Sequence, residues 1–334
     1  MAAGGFPDQA TLKPMRALWF AAPRRAEIRG GRLAAPQPGE IMVRALCSAI
    51  SRGTERLVFE GAVPRGEYET MRAPMQDGAF PFPVKFGYCA VGCVEQGPPG
   101  LLGRRVFALH PHQDFFVAPA DVVAVLPDRL PMERATLAAN METALNAMWD
   151  SGAGPGDRIA IVGGGAVGLL ICFLAARLPG ADVTLIDPDD SRAKIVEDFG
   201  ATYCSKAPAS IGADIAFHTS ASADGFAAAI AACGLEATLV ESSWYGARAI
   251  AAPLGGAFHA RRLRIVSSQV GLVSQSRRPR WTQKRRLTKA VELLDDPRLD
   301  SLIGERVAFD DLPREMPRLL ASGAPGVTSI VIYG

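Results

Sequence analysis

Three glycines, spaced by two and then three residues, are the feature of this sequence that points most directly to a chemistry. Gly163, Gly165 and Gly168 follow a short apolar run in IAIVGGGAVGLL and open a predicted helix. In this G-x-G-x-x-G pattern the first glycine allows a sharp turn, the second leaves the main chain bare, and the third lets the helix pack closely on the strand. Free N–H groups at the helix N-terminus then attract phosphate. The pattern predicts a dinucleotide-binding turn.

An acidic residue at the end of the next predicted strand supports this interpretation. Asp187 follows the apolar residues 183–186 and lies 19 residues after Gly168. A carboxylate at this position can accept hydrogen bonds from both adenosine ribose hydroxyls, and it repels a 2′-phosphate. The alternative is a turn-forming aspartate before Pro188, and the nearby Arg192 weakens the preference. We therefore expect NAD as the cofactor, with NADP the less favoured choice.

Further polar residues follow the later predicted strands of the same region. Ligands of open parallel sheets bind outside the carboxyl ends of the strands. By this rule Thr219, with its neighbours His218 and Ser220, and Ser243 are candidate contacts on the cofactor side.

Two different patterns of predicted secondary structure along the chain indicate how these residues are positioned. Residues 28–127 contain short β-type runs such as IMVRALCSAI and DVVAVLP, separated by glycine, proline and charged turns. After Arg134 a helix at 135–150, a strand at 158–162 and further alternating helices and strands predict a parallel sheet with helices on both faces. The C-terminal run TSIVIY is again of the β type, like the first half of the chain. We expect an α/β chain with a flexible tail at 1–14, a β-rich domain at 15–145 and 272–334, and a dinucleotide-binding domain at 146–271.

Composition excludes several functional classes. Lysine and arginine number 36 against 34 aspartate and glutamate residues, so the net charge of +2 disfavours nucleic acid as a partner. The 6 cysteines include no CxxC pair, which indicates reduced thiols. The longest strongly apolar run, 166–176, is too short to cross a bilayer, and no secretory leader is evident. We expect a cytoplasmic protein that does not interact with membranes, and we interpret the basic run 277–286 as a solvated helix face.

Four segments in order resemble the medium-chain dehydrogenase/reductase superfamily, which includes alcohol dehydrogenases and quinone reductases. They are PQPGEIMVRALCSAISRGTE, VKFGYCAVGCVEQG, RRVFALHPHQDFFVAPADVVAVLPD and LAANMETALNAMWDSGAGPGDRIAIVGGGAVG. The resemblance implies a GroES-like catalytic domain built from both chain ends, a Rossmann domain with doubly wound parallel sheet, and an active site in the cleft between them. It also implies a homodimer paired through an edge strand, and it matches Thr143 to a position beneath the nicotinamide. The stretch ISRGTERLVFEGAVP is locally similar to bacteriochlorophyllide a dehydrogenases, but this local similarity does not identify the substrate.

The residues depart from the superfamily at the positions that hold zinc in its metal-dependent members. The SRGTE segment has no thiol, Tyr88 and Cys89 replace a His-Glu pair, and the third position falls near Ala139, although Glu142 leaves this alignment open. Zinc requires three protein ligands from thiolate, imidazole and carboxylate groups. We expect no metal and no catalytic zinc.

Without zinc, charge that develops on a substrate oxygen must be met by hydrogen-bond donors with a proton route. The resemblance matches Thr54 to a hydroxyl that passes a proton in zinc-dependent relatives, and Tyr88 to a former ligand position. Both are candidate catalytic residues. The alternatives are that Thr54 caps a turn and that Tyr88 fills the space a metal would take.

Glu55 and His112 complete the catalytic candidates. The resemblance matches Glu55 to an acid that supports the metal site, and the alternative is an ion pair with Arg52 or Arg56 that holds the loop. The imidazole of His112 suits proton transfer near neutral pH. For both His110 and His112, however, we favour a surface location.

These observations predict a zinc-independent, NAD(H)-dependent oxidoreductase that interconverts a secondary alcohol and a carbonyl of a small molecule. Two alternatives remain open. One is a zinc-free enone or quinone reductase that uses NADPH. The other is a nucleotide-binding redox sensor without turnover.

Overall fold

The computed structural model describes residues 12–208 and 211–334. The chain divides into two compact units: one contains the chain up to Ala138 and again from Ile303 to Gly334, and the other is Ala139–Leu302. Residues 1–11 of the predicted tail lie outside the described residues, and the first strand begins inside the predicted tail, at Lys13. Among the described helices, none combines the length and apolar character needed to cross a bilayer. The cytoplasmic location stays a prediction.

Strands form the framework of both units. In chain order they are β1 (Lys13–Ala22), β2 (Arg25–Leu33), β3 (Glu40–Ile50), β4 (Asp77–Gly78), β5 (Val84–Lys85), β6 (Ala90–Gln96), β7 (Arg105–Ala108), β8 (Phe115–Pro119), β9 (Ala124–Val125), β10 (Arg158–Val162), β11 (Asp182–Ile186), β12 (Thr202–Cys204), β13 (Ala213–His218), β14 (Cys233–Glu241), β15 (Arg264–Ser267), β16 (Ile303–Ala308) and β17 (Thr328–Ile332).

The helices are short. They are α1 (Arg52–Phe59), α2 (Met132–Ala135), α3 (Ala138–Ser151), α4 (Ala166–Ala175), α5 (Ala193–Phe199), α6 (Ala223–Ala232), α7 (Gln283–Leu293) and α8 (Leu312–Leu319). Shorter helical turns lie at Arg65–Glu67, Pro99–Leu101, Asp190–Arg192, Leu254–Phe258, Pro297–Leu302 and Phe309–Asp311.

The first unit contains a four-stranded sheet in the order β2-β1-β5-β4 and a seven-stranded sheet in the order β16-β17-β3-β6-β7-β9, with β8 also paired to β3. Its strand pairs are antiparallel except for β16 with β17. Alternate residues Ile41, Val43 and Ala45 of β3 are buried together with Phe116 of β8. These three residues of β3 share one face of the strand. Met42 on the other face is buried as well, so only Arg44 among residues 41–45 is exposed.

The second unit contains a six-stranded parallel sheet in the order β12-β11-β10-β13-β14-β15. Val162 at the end of β10 lies opposite Ile186 in β11 and His218 in β13, and His218 lies opposite Glu241 in β14. The carboxyl ends of these strands therefore meet at one edge of the sheet.

The predicted α/β fold, with a β-rich part and a parallel sheet, is confirmed. The strand predicted at 158–162 has these bounds, whereas the helix predicted at 135–150 is divided into α2 and α3. The second unit also takes in residues 139–145 and 272–302, which we assigned to the β-rich domain. A buried ion pair between Glu142 of α3 and Arg286 of α7, at 2.9 Å, joins these two segments. The predicted domain bounds stay a prediction.

Candidate active site

The glycine-rich turn joins β10 to α4 in the second unit. Gly163 has φ of +113°, a conformation that side chains disfavour, and a Cβ there would lie 2.7 Å from Thr219 Oγ1. A Cβ on Gly168 would lie 1.9 Å from the carbonyl oxygen of Gly163. At Gly165, by contrast, a Cβ would meet no described atom within 4 Å. Packing thus requires glycine at positions 163 and 168. The space in front of Gly165 is open to a ligand that approaches the main chain.

Asp187 is bound to this turn through both carboxylate oxygens. Oδ2 accepts a hydrogen bond of 2.6 Å from the N–H of Gly164, and Oδ1 accepts one of 2.8 Å from the N–H of Asp189. Tyr203 donates its hydroxyl to the main-chain carbonyl of Asp187 at 2.6 Å. A carboxylate has about four lone-pair directions, so two remain for other donors.

Arg192 lies against the same turn. Its side chain is largely buried and pairs with Asp189 Oδ2 at 3.0 Å. A Cβ on Gly164 would lie 3.0 Å from Arg192 Cγ and 3.2 Å from the Cβ of Asp187. The structure therefore brings together the glycine turn, Asp187 and Arg192, which the sequence predicted as one site.

The other three predicted cofactor residues make contacts of their own. Thr219 donates its hydroxyl to the Gly163 carbonyl at 2.9 Å and so supports the turn. Ser243 Oγ accepts a hydrogen bond from the N–H of Ala221 at 3.1 Å. Thr143 donates to the carbonyl of Ala139 at 3.0 Å, within α3.

A second polar cluster lies in the first unit, where α1 begins. Glu55 is fully buried, and its Oε1 accepts a hydrogen bond of 2.8 Å from the N–H of Ser51, the residue before the helix. Its Oε2 lies 3.1 Å from Nε2 of the buried His112. The carboxylate therefore holds the first turn of α1 and the histidine at the same time.

Tyr88 joins this cluster by donating its hydroxyl to Ser51 Oγ at 2.6 Å. Desolvation of the phenol raises the pKa of Tyr88 well above its usual range, while hydrogen bonds with Ser51 and Thr54 oppose that rise. The hydroxyl stays protonated at neutral pH and acts as a donor. The four predicted catalytic residues Thr54, Glu55, Tyr88 and His112 thus belong to one connected cluster.

Behind the cluster, the polar contacts continue toward the C-terminus. His112 Nδ1 lies 2.8 Å from Ser48 Oγ, and Ser48 Oγ lies 2.9 Å from the hydroxyl of Tyr333. Ser48, Ser51 and Tyr333 were not among the residues predicted from the sequence. The only available signal was a serine at position 48 within the otherwise apolar C-terminal part of β3.

No family model matches the chain. Over 91 residues, 27% of the chain, it is 37% identical to an alcohol dehydrogenase of Geobacillus stearothermophilus. It is 24% identical to D-guloside 3-dehydrogenase of Escherichia coli (strain K12) over 331 residues, 90% of this chain and 94% of that protein. The matched stretches span 26% to 31% of the length of the first curated relatives.

Solved structures agree in fold over almost the whole chain. A zinc-binding dehydrogenase from Sinorhizobium meliloti 1021, bound to NADP, has a TM-score of 0.74 and 18% identity, covering 96% of this chain and 99% of that one. The chain therefore has the fold of this dehydrogenase.

The described residues do not fit the zinc site of metal-dependent members of the superfamily. Within the described ranges no group of three or more His, Cys, Asp or Glu side chains is placed to hold a metal ion. Cys89, the only thiol at a former ligand position, is fully buried, and desolvation raises its pKa, so the thiolate that zinc requires is disfavoured. Zinc independence itself stays a prediction.

The alternative of an ion pair between Glu55 and Arg52 or Arg56 is not what the structure shows, and the expected surface location of His110 and His112 is wrong. Glu55 pairs with His112 and not with an arginine, because Arg52 donates to carbonyls at 324–326 and Arg56 donates to carbonyls at 320 and 321. His110 and His112 are buried and not at the surface. His110 stacks on Phe116 with ring centroids 3.9 Å apart, and burial lowers its pKa to about 3.

Proposed function

We propose that this chain is a zinc-independent oxidoreductase that binds NAD(H) and interconverts a secondary alcohol and a carbonyl of a small molecule. The observation that carries the proposal is the hydrogen bond from Tyr88 to Ser51, backed by the buried pair of Glu55 and His112. This cluster combines a neutral hydroxyl donor with a rigid support. Interconversion of an alcohol and a carbonyl needs such a donor when no metal is used.

The glycine turn and Asp187 support the choice of cofactor. The open space at Gly165 suits a pyrophosphate on main-chain N–H groups, and the free lone pairs of Asp187 suit ribose hydroxyls. Thr143, Thr219 and Ser243 are proposed as further contacts. A bound nicotinamide would supply the hydride acceptor or donor.

The residues of the first unit are assigned complementary tasks. Tyr88 has one hydroxyl proton, which it donates to Ser51 Oγ in this structure. In the proposed reaction this proton turns to the carbonyl oxygen of the substrate, and the hydroxyls of Ser51 and Thr54 donate to the Tyr88 oxygen in turn. Glu55 fixes Ser51 through the main chain, and His112 fixes Glu55. Glu55 and His112 are positioning residues in this scheme, since both are fully buried.

The named relatives support the substrate class. They are alcohol and sugar-derivative dehydrogenases, whose substrates carry hydroxyl groups. A small hydroxylated molecule or the matching ketone is therefore the first class to test.

One observation favours the alternative of a zinc-free enone or quinone reductase that uses NADPH. Arg192 lies beside Asp187 at the turn, and a guanidinium there can accept a 2′-phosphate. Its pairing with Asp189 reduces this capacity, so NAD(H) remains the proposed cofactor.

The direct test follows nicotinamide absorbance while the purified chain is offered secondary alcohols, ketones, enones and quinones. We expect turnover with alcohols or ketones, and tighter binding of NADH than of NADPH. Turnover confined to enones or quinones with NADPH would support the alternative. Binding without turnover across the whole panel would contradict an enzymatic function.

We also propose a homodimer. In the described sheet β15 lies at one edge, with β14 as its only neighbour in the strand order, so its outer side offers free main-chain groups. Light scattering that reports a monomer would contradict this proposal.

A further inference from the structure

A chain of polar side chains at the carboxyl ends of β13 and β14 lies beside the proposed cofactor site, since a Cβ on Gly163 would lie 2.8 Å from the main-chain nitrogen of Ser220. The proposed proton donation by Tyr88 does not use these side chains. His218 Nδ1 lies 2.8 Å from Glu241 Oε2, and His218 Nε2 lies 2.7 Å from Ser220 Oγ. His218 is fully buried, whereas Ser220 is exposed. The chain therefore leads from a largely buried carboxylate, through an imidazole, to a hydroxyl at the surface.

Glu241 is oriented by two donors of its own. The N–H of Ser243 donates to Oε1 at 2.7 Å, and the hydroxyl of Tyr245 donates to Oε2 at 3.0 Å. Burial and the charge of Glu241 raise the pKa of Tyr245, so this hydroxyl remains a donor. The carboxylate is thus directed at His218 Nδ1, which fixes the ring with Nε2 toward Ser220.

The local backbone presents Ser220 at the surface. Ala221 has φ of +51°, a left-handed conformation rare for a residue with a side chain, and it turns the chain sharply between β13 and α6. A Cβ on Gly225 would lie 2.1 Å from Ser220 Oγ and 3.0 Å from His218 Nε2. Gly225 therefore leaves room for the contact between hydroxyl and imidazole.

We propose that Ser220, His218 and Glu241 form a nucleophilic triad that hydrolyses small carboxylic esters. The two distances and the order hydroxyl, imidazole, carboxylate match the roles of nucleophile, general base and orienting acid, which are recognised by geometry and not by sequence position. In the first turn of α6 the N–H of Gly225 is capped by Ser222 Oγ at 3.0 Å, so the N–H groups of Ala223 and Asp224 are assigned the task of facing the charge on the carbonyl oxygen.

The reaction would proceed in two balanced steps. Ser220 Oγ bonds to the ester carbonyl carbon while its proton passes to His218 Nε2, and the bond from that carbon to the alkoxy oxygen breaks as the alcohol leaves with this proton. A water molecule then attacks the acyl carbon and gives a proton to His218, which returns it to Ser220 Oγ as the carboxylic acid leaves. No oxidant or reductant is needed, so the reaction does not require a bound cofactor, and it is tested without nucleotide.

The test uses the full chain without nucleotide, a fluorophosphonate probe and p-nitrophenyl acetate. We expect the probe to modify the peptide that carries Ser220, and Ser220→Ala to lose both modification and ester hydrolysis. Ser220 is exposed, so this substitution leaves folding intact. Glu241→Gln should slow hydrolysis by at least roughly tenfold. Ser301→Ala, at another exposed serine of the same unit, is the matched control and should change neither readout.

A second measurement does not depend on whether the probe fits the site. In Ser220→Cys the thiol would lie beside His218, so its alkylation by iodoacetamide, followed peptide by peptide, should exceed that of Ser301→Cys by roughly tenfold or more. Equal alkylation rates would overturn activation by His218. A wild-type chain that hydrolyses no ester and carries no probe on Ser220 would overturn the triad as a catalyst, as would hydrolysis that persists in Ser220→Ala.

Discussion

Glu55 and His112 form a buried contact, with Glu55 Oε2 3.1 Å from His112 Nε2, although 57 positions separate them in the chain. The contact links the start of α1 to the segment between β7 and β8. It also connects, through Ser51, to the hydroxyl of Tyr88. The orientation of the proposed donor therefore depends on a pair of side chains that substrate does not reach.

Removal of the Glu55 carboxylate should destabilise the fold. Glu55→Ala removes the acceptor of the Ser51 N–H and the contact at His112 Nε2 in a buried environment, which costs about 1–3 kcal/mol. Glu55→Gln keeps an acceptor and a donor and should cost less. Urea denaturation measures both, with Glu60→Ala at an exposed position of the same segment as the control. An unchanged midpoint for Glu55→Ala would contradict the role of the pair.

Loss of the Tyr88 hydroxyl should reduce turnover and leave the fold intact. Tyr88→Phe removes the proposed donor to the carbonyl oxygen, so we expect kcat to fall by roughly a hundredfold or more with little change in KM for the cofactor. Thr54→Val should have a smaller effect in the same direction, because it removes only a contact to that hydroxyl. Unchanged steady-state kinetics in both variants would remove these residues from the mechanism.

Stability should fall in acid because of His110. The pKa of this buried ring is lowered to about 3, mainly by desolvation, whereas the unfolded chain has a histidine pKa near 6.5. Between these two pKa values the unfolded state binds a proton that the folded state does not. The stabilisation from the neutral, buried His110 is therefore complete above the unfolded pKa and is lost as pH falls toward the folded pKa. The free energy of unfolding falls by at most about 1.4 kcal/mol per pH unit from this group.

The comparison of variants isolates this contribution from that of the carboxylates. Urea midpoints of wild type and His110→Gln should converge as pH falls from neutral to 4, because the variant lacks the proton linkage. His259→Gln, at an exposed histidine, should keep the wild-type pH dependence. Parallel curves for wild type and His110→Gln would show that His110 is not buried in its neutral form.

The ion pair between Glu142 and Arg286 should matter more for stability than any surface charge. Arg286→Met leaves a buried carboxylate unpaired, which costs about 3–5 kcal/mol, whereas Arg285→Met on the exposed face of α7 should cost about 0.5 kcal/mol or less. The double variant Glu142→Met with Arg286→Met should recover much of the loss. Equal thermal midpoints for the two single variants would contradict the assignment.

The sequence predicts features whose cause is local. The turn at Gly163 and Gly168 follows from backbone sterics, and the strand at 158–162 follows from an apolar run, so both are read from a few adjacent residues. The partners of Glu55 and Arg286, by contrast, do not follow from adjacent residues. Each partner is selected by contacts between distant segments. The helical spacing of α7 places Arg286 on the buried face with Ala290, but nothing local identifies Glu142 as its partner. The burial of His110 and His112 was missed for the same reason.

In the proposed mechanism, organic side chains perform the redox chemistry without a metal. The most direct measurement is the kcat/KM of the NADH-dependent reaction before and after exhaustive chelation, with the metal content of the same samples determined by elemental analysis. We predict unchanged kcat/KM and no stoichiometric zinc. Activity that is lost on chelation and restored by zinc would contradict the zinc-independent mechanism.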